Sequence, residues 1–481
     1  MDGILVRRFS VLTIAATLGW ATMARAQSLE GRLANLLADA QVKGADVGIH
    51  IMEVTARGPV EVYAYHADTP LTPASCAKIL TTSTAFETYG PKATFKTQLW
   101  RIGDDLLLLG GGDPAFCDAK LSAAAGLQVT SIYDSWADTL KKAGITAYRD
   151  LVLDDRVFDY QFVHPNWPAD QSLAWYQAPI GGLNFNANCL DWIPKVTAGG
   201  VGAVLIPETS YISVVNKAKR GATNNVWMWR PTDSNRFELR GTIAASASEP
   251  ESVTIVDPGL WAASILRDRL SANGVQSAGT VKRIPDAGMG NVQAQMLAMA
   301  ETPILSVIKR ANKNSLNMMA EGLCKRLGHD ATGKPGSWEN GTAAVAAYMQ
   351  KLGVPGDLVK MDDGSGLSSK THIAPRALTA ALAHVAARED GALYVDTFAV
   401  PSEDGTLKNR FKGLPVANGI HAKTGHIKGA STLSGYIDVP GEGGGAGRRL
   451  VFSIMVNRYV GNVNPWQDSV CNEVWKWAGG K

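Results

Sequence analysis

The spacing of apolar and polar residues near the beginning of the chain predicts a helix, two strands and a second helix. Residues 31–42 repeat like an amphipathic helix, while residues 46–54 and 60–66 alternate with the two-residue period of a strand. The second helix is predicted from residue 73 to about residue 89, because Thr72 can act as its N-cap and a proline suits the first helical position.

The middle of the chain, from residue 96 to residue 292, has a different pattern. Short apolar runs such as 106–109 and 151–153 alternate with turns that contain Gly, Asn and Asp, which predicts a β-rich segment. Helical periodicity then returns, and the chain ends in two strands and a helix. The predicted helices are 304–327, 342–352, 374–388 and 466–477, and the predicted strands are 433–438 and 450–457.

The first residues are typical of a cleaved export signal. Arg7 and Arg8 form a positive start, residues 11–21 are mostly apolar, and residues 24–26 fit a cleavage site that leaves Gln27 as the first mature residue. A membrane anchor is the alternative, but the apolar run is shorter than the roughly 20 residues that a spanning helix needs. We therefore expect an exported, periplasmic protein with no transmembrane span after cleavage.

The net charge, the cysteine spacing and the motifs of the chain limit the partners and ligands that we expect. A net charge of +3 on 481 residues, with no long Lys/Arg block, argues against nucleic acid as a partner. The five cysteines lack a paired metal-binding spacing, and their odd number leaves at least one free thiol. We expect most of them to be buried as small hydrophobic residues. The sequence has no HExxH motif, phosphate loop or GxSxG motif, so that no metal and no cofactor are indicated.

A serine and a lysine three residues apart, in Ser75-Cys76-Ala77-Lys78, are the first candidates for chemistry. Serine is a poor nucleophile at neutral pH and needs an adjacent base. Positions i and i+3 of a helix share a face, so Lys78 can reach Ser75, and it can act as the base if burial or a nearby cation lowers its pKa. The N–H of Ser75, in the first turn of the helix, can donate to a developing oxyanion. Cys76 is interpreted as a packing residue.

Two further short motifs follow along the chain. Ser315-Leu316-Asn317 supplies a hydroxyl that can relay a proton between two lysines and an amide that can hold a substrate backbone. Lys423-Thr424-Gly425 is expected to form an edge strand, where a cation and a hydroxyl suit a substrate carboxylate and the glycine allows close approach. A second serine–lysine pair, Ser306 and Lys309, lies in an apolar helical stretch only nine residues before Ser315, and we expect it to be structural.

The three motifs, in this order, resemble those of the penicillin-recognising serine enzymes. The interval of 240 residues between Ser75 and Ser315 is far longer than in class A β-lactamases. It resembles that of the class C low-molecular-mass penicillin-binding proteins, which are D-alanyl-D-alanine carboxypeptidases and endopeptidases. The resemblance covers essentially the whole mature chain. Further stretches that carry it are residues 71–75, 110–114, 363–368, 404–407 and 433–436.

The resemblance implies an α/β (α+β) fold: a β-lactamase/transpeptidase-like catalytic domain in which helices flank an antiparallel sheet. Residues 27–95 together with 293–481 would form this domain, and residues 96–292 would form one or two inserted β-rich domains. The expected activity is hydrolysis of D-Ala-D-Ala peptides of peptidoglycan, with β-lactams acylating the same serine. The implied catalytic residues are Ser75, Lys78, Ser315 and Lys423, and the implied substrate-binding residues are Asn317, Thr424, Gly425 and His426. His426 stands where the family often has a small residue, but its backbone N–H would still complete the oxyanion hole.

Two other functions are weighed against this one. A β-lactamase would use the same residues but needs fast deacylation, and we see no convincing carboxylate placed as a deacylation base. A non-catalytic peptidoglycan-binding protein could keep the fold, but the intact motif residues argue against loss of activity. A weak association with the wall or the membrane surface is a further expectation.

Overall fold

The computed structural model of the chain describes residues 28–285, 293–441 and 447–480. The predicted export signal, residues 1–26, and the predicted mature start at Gln27 lie outside the described residues. Within the three described ranges, no helix has both the length and the apolar character that crossing a membrane requires.

The helices and strands are named here in chain order. The first part of the chain contains α1 (Leu29–Leu37), β1 (Asp46–Thr55), β2 (Gly58–Tyr65) and α2 (Lys78–Tyr89). The middle part contains β3 (Thr94–Ile102), β4 (Asp105–Gly110), α3 (Ala119–Ala124), α4 (Ser131–Lys142), β5 (Ala147–Tyr148), β6 (Leu151–Asp154), β7 (Cys189–Thr197), β8 (Gly200–Ile206), β9 (Ser213–Asn216), β10 (Lys219–Arg220), β11 (Asn225–Trp229), β12 (Arg236–Ile243), β13 (Glu251–Thr254), α5 (Pro258–Ala272), β14 (Gln276–Ser277), β15 (Val281–Arg283) and β16 (Ala294–Pro303). The last part contains α6 (Ile304–Lys313), α7 (Asn317–Thr332), α8 (Trp338–Lys351), β17 (Val359–Lys360), β18 (His372–Ile373), α9 (Pro375–Ala386), α10 (Gly391–Val395), β19 (Ile420–Ile427), β20 (Ala430–Val439), β21 (Arg448–Asn457) and α11 (Asn464–Trp477).

A five-stranded antiparallel sheet, in the order β19-β20-β21-β1-β2, joins the two ends of the chain. β1 pairs with β21 along almost its whole length, which brings the first strand beside the last. Alternate side chains of the sheet point to opposite faces. On one face, Ile49 packs with Leu33 of α1 and Trp466 of α11, while on the other face Met455 packs in the core of α2, α7 and α9. The predicted antiparallel sheet flanked by helices is confirmed.

The middle part of the chain has a hydrophobic core of its own. A second five-stranded sheet, in the order β15-β6-β4-β3-β16, packs with α4 and α5 around Tyr133 and Trp261. Two smaller sheets, β13-β7-β8 and one built from β9 to β12, extend this β-rich part. β3 and β16 are antiparallel neighbours, so the chain enters and leaves side by side. The division of the chain into domains at residues 96 and 292 stays a prediction.

The predicted cap of the second helix is wrong. Thr72 does not cap α2, and no side-chain cap is formed at the start of this helix. Asn457 of β21 instead fixes the backbone of Thr72, whose N–H donates to Oδ1 at 2.8 Å and whose carbonyl accepts from Nδ2 at 3.1 Å. The segment Ala74–Ala77 forms a 3₁₀ turn that begins with a φ of +46° at Ala74, and the α-helix starts only at Lys78. A contact with a residue so distant in sequence cannot be read from a local capping pattern.

The predicted helix over residues 304–327 is divided into α6 and α7. Ser315 has a φ of +58°, in the left-handed region that residues other than glycine rarely adopt, and Leu316 is extended. Apolar residues of both helices, among them Ile308 and Leu323, enter the same core. The apolar periodicity therefore continues across the break and conceals it.

All five cysteines are buried free thiols, which confirms that most of them pack as small hydrophobic residues. Cys76 is fully buried in the core beside α2, in agreement with its predicted packing role.

We therefore predict that a thiol reagent such as Ellman's reagent modifies none of the five cysteines in the native protein and all five in denaturant, because burial both blocks the reagent and raises the pKa of these thiols. The measurement is a thiol titration with and without guanidinium. A native protein that releases one equivalent of chromophore rapidly would contradict it, and so would an unreduced, denatured sample with fewer than five thiols.

Candidate active site

The 3₁₀ turn that carries Ser75 is held against the edge of the central sheet. The carbonyl of Pro73 accepts a hydrogen bond from Thr432 Oγ1 at 2.6 Å, and Cys76 Sγ donates to the carbonyl of Lys423 at 3.2 Å. β19 approaches so closely that a Cβ at Gly425 would lie 2.6 Å from the Pro73 carbonyl oxygen and 2.9 Å from the Ser75 nitrogen. Only glycine fits at position 425 without moving the turn.

Lys78 is the first residue of α2 and is fully buried. Its Nζ lies 2.8 Å from Ser75 Oγ, 2.6 Å from Asn317 Oδ1 and 3.0 Å from the carbonyl oxygen of Ser365. The pKa of Lys78 lies well below its usual range, mainly because the amine is buried and secondly because the charge of Lys423 is near. The predicted contact of Lys78 with Ser75 is therefore present, and the pKa is lowered in the direction that a general base requires.

The three neighbours of Lys78 match a neutral amine, which has two N–H groups and one lone pair. Asn317 Oδ1 and the Ser365 carbonyl can only accept hydrogen bonds, while the hydroxyl of Ser75 can donate one. The two N–H groups can therefore point at the two acceptors, and the lone pair can accept from Ser75. This arrangement suits removal of the proton from the Ser75 hydroxyl.

Ser315 lies at the break between α6 and α7, and the left-handed turn brings it to Lys423 on β19. Lys423 Nζ donates to Ser315 Oγ at 2.8 Å and to the carbonyl of Thr424 at 2.6 Å. Lys423 is also fully buried, and burial lowers its pKa to about 8. The serine hydroxyl of the second motif and the lysine of the third thus meet directly.

The third motif lies on the outermost strand of the central sheet, as predicted. β19 pairs with β20 on its inner side, and the outer edge of such a strand can bind an extended peptide. Thr424 Oγ1 donates to Thr406 Oγ1 at 2.8 Å, which places a second hydroxyl beside the strand. The side chain of His426 is exposed, with Nδ1 3.3 Å from the hydroxyl of Tyr459.

A cavity of about 550 Å³ opens over these residues. Ser75, Ser315, Asn317 and His426 line it. The middle part of the chain also contributes, through Asn166, Pro168, Gln171, Trp175 and Tyr176, and the segment after residue 365 adds Gly366, Leu367 and Ser369. The structure therefore brings residues of the first two motifs and His426, which directly follows the third, to one cleft, with part of its lining drawn from the β-rich middle part.

The alternative serine–lysine pair does not reach this cleft. Ser306 and Lys309 both lie on α6, where Lys309 is exposed to solvent. The structural interpretation of this pair agrees with its position.

Several residues that support the site were not among the predicted site residues. Asn317 Nδ2 donates to the carbonyl of Tyr176 at 2.8 Å, so that both ends of this amide are held by protein groups. Ser365, in the stretch 363–368 that carries part of the family resemblance, supplies a backbone acceptor to Lys78. Glu321, one turn after Asn317 on α7, is fully buried. A charged residue four positions after Asn317, on the same helix face, was the available signal for it.

Comparisons with known proteins identify relatives of this chain. The model of the D-Ala-D-Ala carboxypeptidase 3 (S13) family matches residues 29–473. A D-alanyl-D-alanine carboxypeptidase from an Actinomadura species is 29% identical, over 98% of this chain and 88% of that protein. The D-alanyl-D-alanine carboxypeptidase DacB of Haemophilus influenzae is 25% identical, over 82% of each chain.

A solved structure shares the fold. Penicillin-binding protein 4 (dacB) from Haemophilus influenzae superposes with a TM-score of 0.74 at 23% identity, covering 92% of this chain and 98% of that chain. With a family model that spans nearly the whole described chain and this common fold, the protein belongs to the D-Ala-D-Ala carboxypeptidase 3 (S13) family.

Proposed function

We propose that this protein is a serine D-alanyl-D-alanine carboxypeptidase and endopeptidase that hydrolyses peptidoglycan peptides through a Ser75 acyl-enzyme. The observation that carries the proposal is the buried amine of Lys78, 2.8 Å from Ser75 Oγ, with its other two neighbours restricted to accepting hydrogen bonds. Membership of the S13 family supports the substrate class.

The proposed reaction begins when Ser75 Oγ attacks the carbonyl carbon between two D-alanines while its proton passes to Lys78 Nζ. The N–H groups of Ser75 and His426 donate to the oxyanion that forms. Donors fixed at the atom where negative charge develops lower the activation barrier strongly. The peptide C–N bond then breaks, and the proton that Lys78 took from Ser75 reaches the leaving amine through Ser315 and Lys423, which are hydrogen-bonded to each other. Water finally hydrolyses the ester of Ser75, and the acyl product leaves.

Substrate binding is assigned to the edge strand and the loops around it. Lys423 and Thr424 bind the terminal carboxylate, Gly425 allows the peptide backbone to approach, and Asn317 holds the acyl side. In the structure the amide of Asn317 already contacts Lys78 and Tyr176, so its contact with substrate adds to an existing role in holding the lysine. β-Lactams would imitate this peptide and acylate Ser75.

We assign the protein to the exported, periplasmic side of the cell, where peptidoglycan lies. Cleavage after residue 26 and a weak association with the wall or membrane surface remain parts of this proposal. The catalytic domain would comprise residues 27–95 and 293–481, with residues 96–292 inserted.

The first prediction concerns the nucleophile. Ser75→Ala should abolish both hydrolysis of a D-Ala-D-Ala peptide and covalent labelling by benzylpenicillin, because no hydroxyl remains beside Lys78. An intact-mass time course with benzylpenicillin measures this, and the wild-type chain should show one persistent adduct. Labelling that persists in Ser75→Ala would refute the assignment of the nucleophile. Rapid drug hydrolysis by the wild type without an adduct would indicate a β-lactamase, and an unmodified wild type would favour a non-catalytic wall-binding protein.

The second prediction concerns pH. The pKa of Lys423 is lowered to about 8, so this lysine is charged below that pH and loses its charge above it. If the charge binds the terminal carboxylate, kcat/KM for a D-Ala-D-Ala peptide should fall as the pH rises through about 8. A peptide with an amidated C-terminus is the control, and its profile should lack this alkaline fall. Equal alkaline falls for both peptides would contradict the carboxylate role.

The third prediction concerns the close contact at Gly425. Gly425→Ala should slow acylation of Ser75 about 100-fold, because the new Cβ displaces the turn that positions the nucleophile. Gly356→Ala is the matched control: its Cβ would meet only the end of the Gln350 side chain, at 3.7 Å, and its acylation should be unchanged. Stopped-flow or quench kinetics with a chromogenic β-lactam give the rate constants. Wild-type acylation by Gly425→Ala would show that the turn tolerates displacement.

A further inference from the structure

A short turn, residues 364–366, supplies the backbone acceptor for Lys78, and both residues that flank this acceptor are fixed by carboxyl groups. The N–H of Gly364 donates to Glu321 Oε2 at 2.8 Å, and the N–H of Gly366 donates to Asp363 Oδ1 at 2.8 Å. Between them, the carbonyl of Ser365 accepts from Lys78 at 3.0 Å. The position of the Lys78 acceptor therefore depends on two buried hydrogen bonds to carboxyl groups.

The turn is also wedged between α7 and the turn that carries Ser75. A Cβ at Gly364 would lie 2.6 Å from Cys324 Cβ and 2.9 Å from the Ala320 carbonyl oxygen, both on α7. A Cβ at Gly366 would lie 2.0 Å from the carbonyl oxygen of Ala74, next to the nucleophile. A displacement of the turn on the α7 side would thus be transmitted to both Lys78 and Ser75.

Glu321 is the group on α7 that holds this turn, and the reaction steps above make no use of it. Its side chain is fully buried, and Oε2 accepts a second hydrogen bond from Trp338 Nε1 at 2.8 Å. Among the described residues no salt bridge to Glu321 is found. Burial, followed by the charge of Asp363, raises its pKa to about 7. A buried carboxyl group without a direct cationic partner is costly to keep, which calls for a function.

We propose that Glu321 is a positioning residue for the catalytic amine: through the turn at 364–366 it fixes Lys78 beside Ser75, and it sets a carboxyl group into the same buried space. The inference rests on the proposed function, because it presumes that Lys78 is the base.

Other charged groups face the same buried space. Together they determine how loss of the Glu321 charge would change the pKa of Lys78. Asp363 on the loop and Glu321 on α7 favour the protonated form of Lys78, whereas burial and the charge of Lys423 on β19 oppose it. On α7 itself, Cys324 and Lys325 lie beside Glu321, and Lys325 is paired with Asp159 at 2.7 Å. Removal of the Glu321 charge should therefore lower the pKa of Lys78 further.

Two substitutions separate the hydrogen bonds of Glu321 from its charge. Glu321→Gln keeps an oxygen for Gly364 and Trp338 but removes the charge, so acylation by benzylpenicillin should persist while the acid limb of its pH–rate profile moves to lower pH. Glu321→Ala leaves both N–H donors without an acceptor, so the turn should shift and the rate constant of acylation should fall about 100-fold at every pH. Intact-mass kinetics over a pH series give both quantities, with melting temperatures measured in parallel.

Asp155→Asn is the matched control, because it neutralises an equally buried carboxyl group, paired with Arg283 in the middle part of the chain. It should lower the melting temperature without moving the pH–rate profile. A wild-type acid limb in Glu321→Gln would overturn the inference, and so would a rate loss in Glu321→Ala no greater than that of the control. Should Glu321→Ala not fold, the pH profile of Glu321→Gln decides. Failure of the proposed function is distinguished by labelling that survives Ser75→Ala.

Discussion

Burial of the Lys78 amine is the constraint on which the rest of the structure depends. A fully buried lysine is costly to charge, and the protein surrounds it with two acceptors and one hydroxyl, the set that a neutral amine can satisfy. These neighbours come from three separate segments: the Ser75 turn, the start of α7 and the loop at Ser365. Three features bring those segments within hydrogen-bonding distance of Lys78 Nζ. They are the central sheet, the break at Ser315 and the glycine turn at 364–366.

The β-rich middle part of the chain takes part in this arrangement. Its Tyr176 carbonyl fixes the amide of Asn317, which in turn contacts Lys78, and Trp167 Nε1 donates to Asp363 Oδ2 at 2.9 Å, which holds the loop of Ser365. Trp175 and Tyr176 also line the cleft. Two of the three neighbours of the lysine are thus supported from the middle part of the chain, whose Trp167 packs with Met318 of α7 and Trp338 of α8. This coupling gives the middle part a role in the geometry of the site.

The prediction of elements from the sequence succeeded where a periodic pattern and the buried face coincide, and it failed where a single residue departs from the pattern. The strands at 433–438 and 450–457 lie within β20 and β21, because alternation follows directly from burial in a sheet. The break at Ser315 was missed, since apolar residues on both sides enter one core. The cap at Thr72 was wrong because a 3₁₀ turn at Ala74–Ala77 delays the α-helix to Lys78, while Asn457, far away in sequence, fixes the backbone of Thr72. A local pattern contains no information about such partners.

The sequence by itself determined the chemical groups of the site: a serine and lysine three residues apart, a second serine with an asparagine, and a lysine, threonine and glycine on an edge strand. Spacing along one element is a local property, so Lys78 could be assigned to Ser75 without a structure. Only the tertiary structure decided what surrounds the lysine, namely the Ser365 carbonyl, the Tyr176 carbonyl behind Asn317, and Glu321 behind the turn at 364–366. Two of these contacts are made by backbone carbonyls, which every residue possesses and which leave no mark in a sequence. Their position depends on packing between segments more than 100 residues apart, and the burial that lowers the pKa of Lys78 arises from that packing alone.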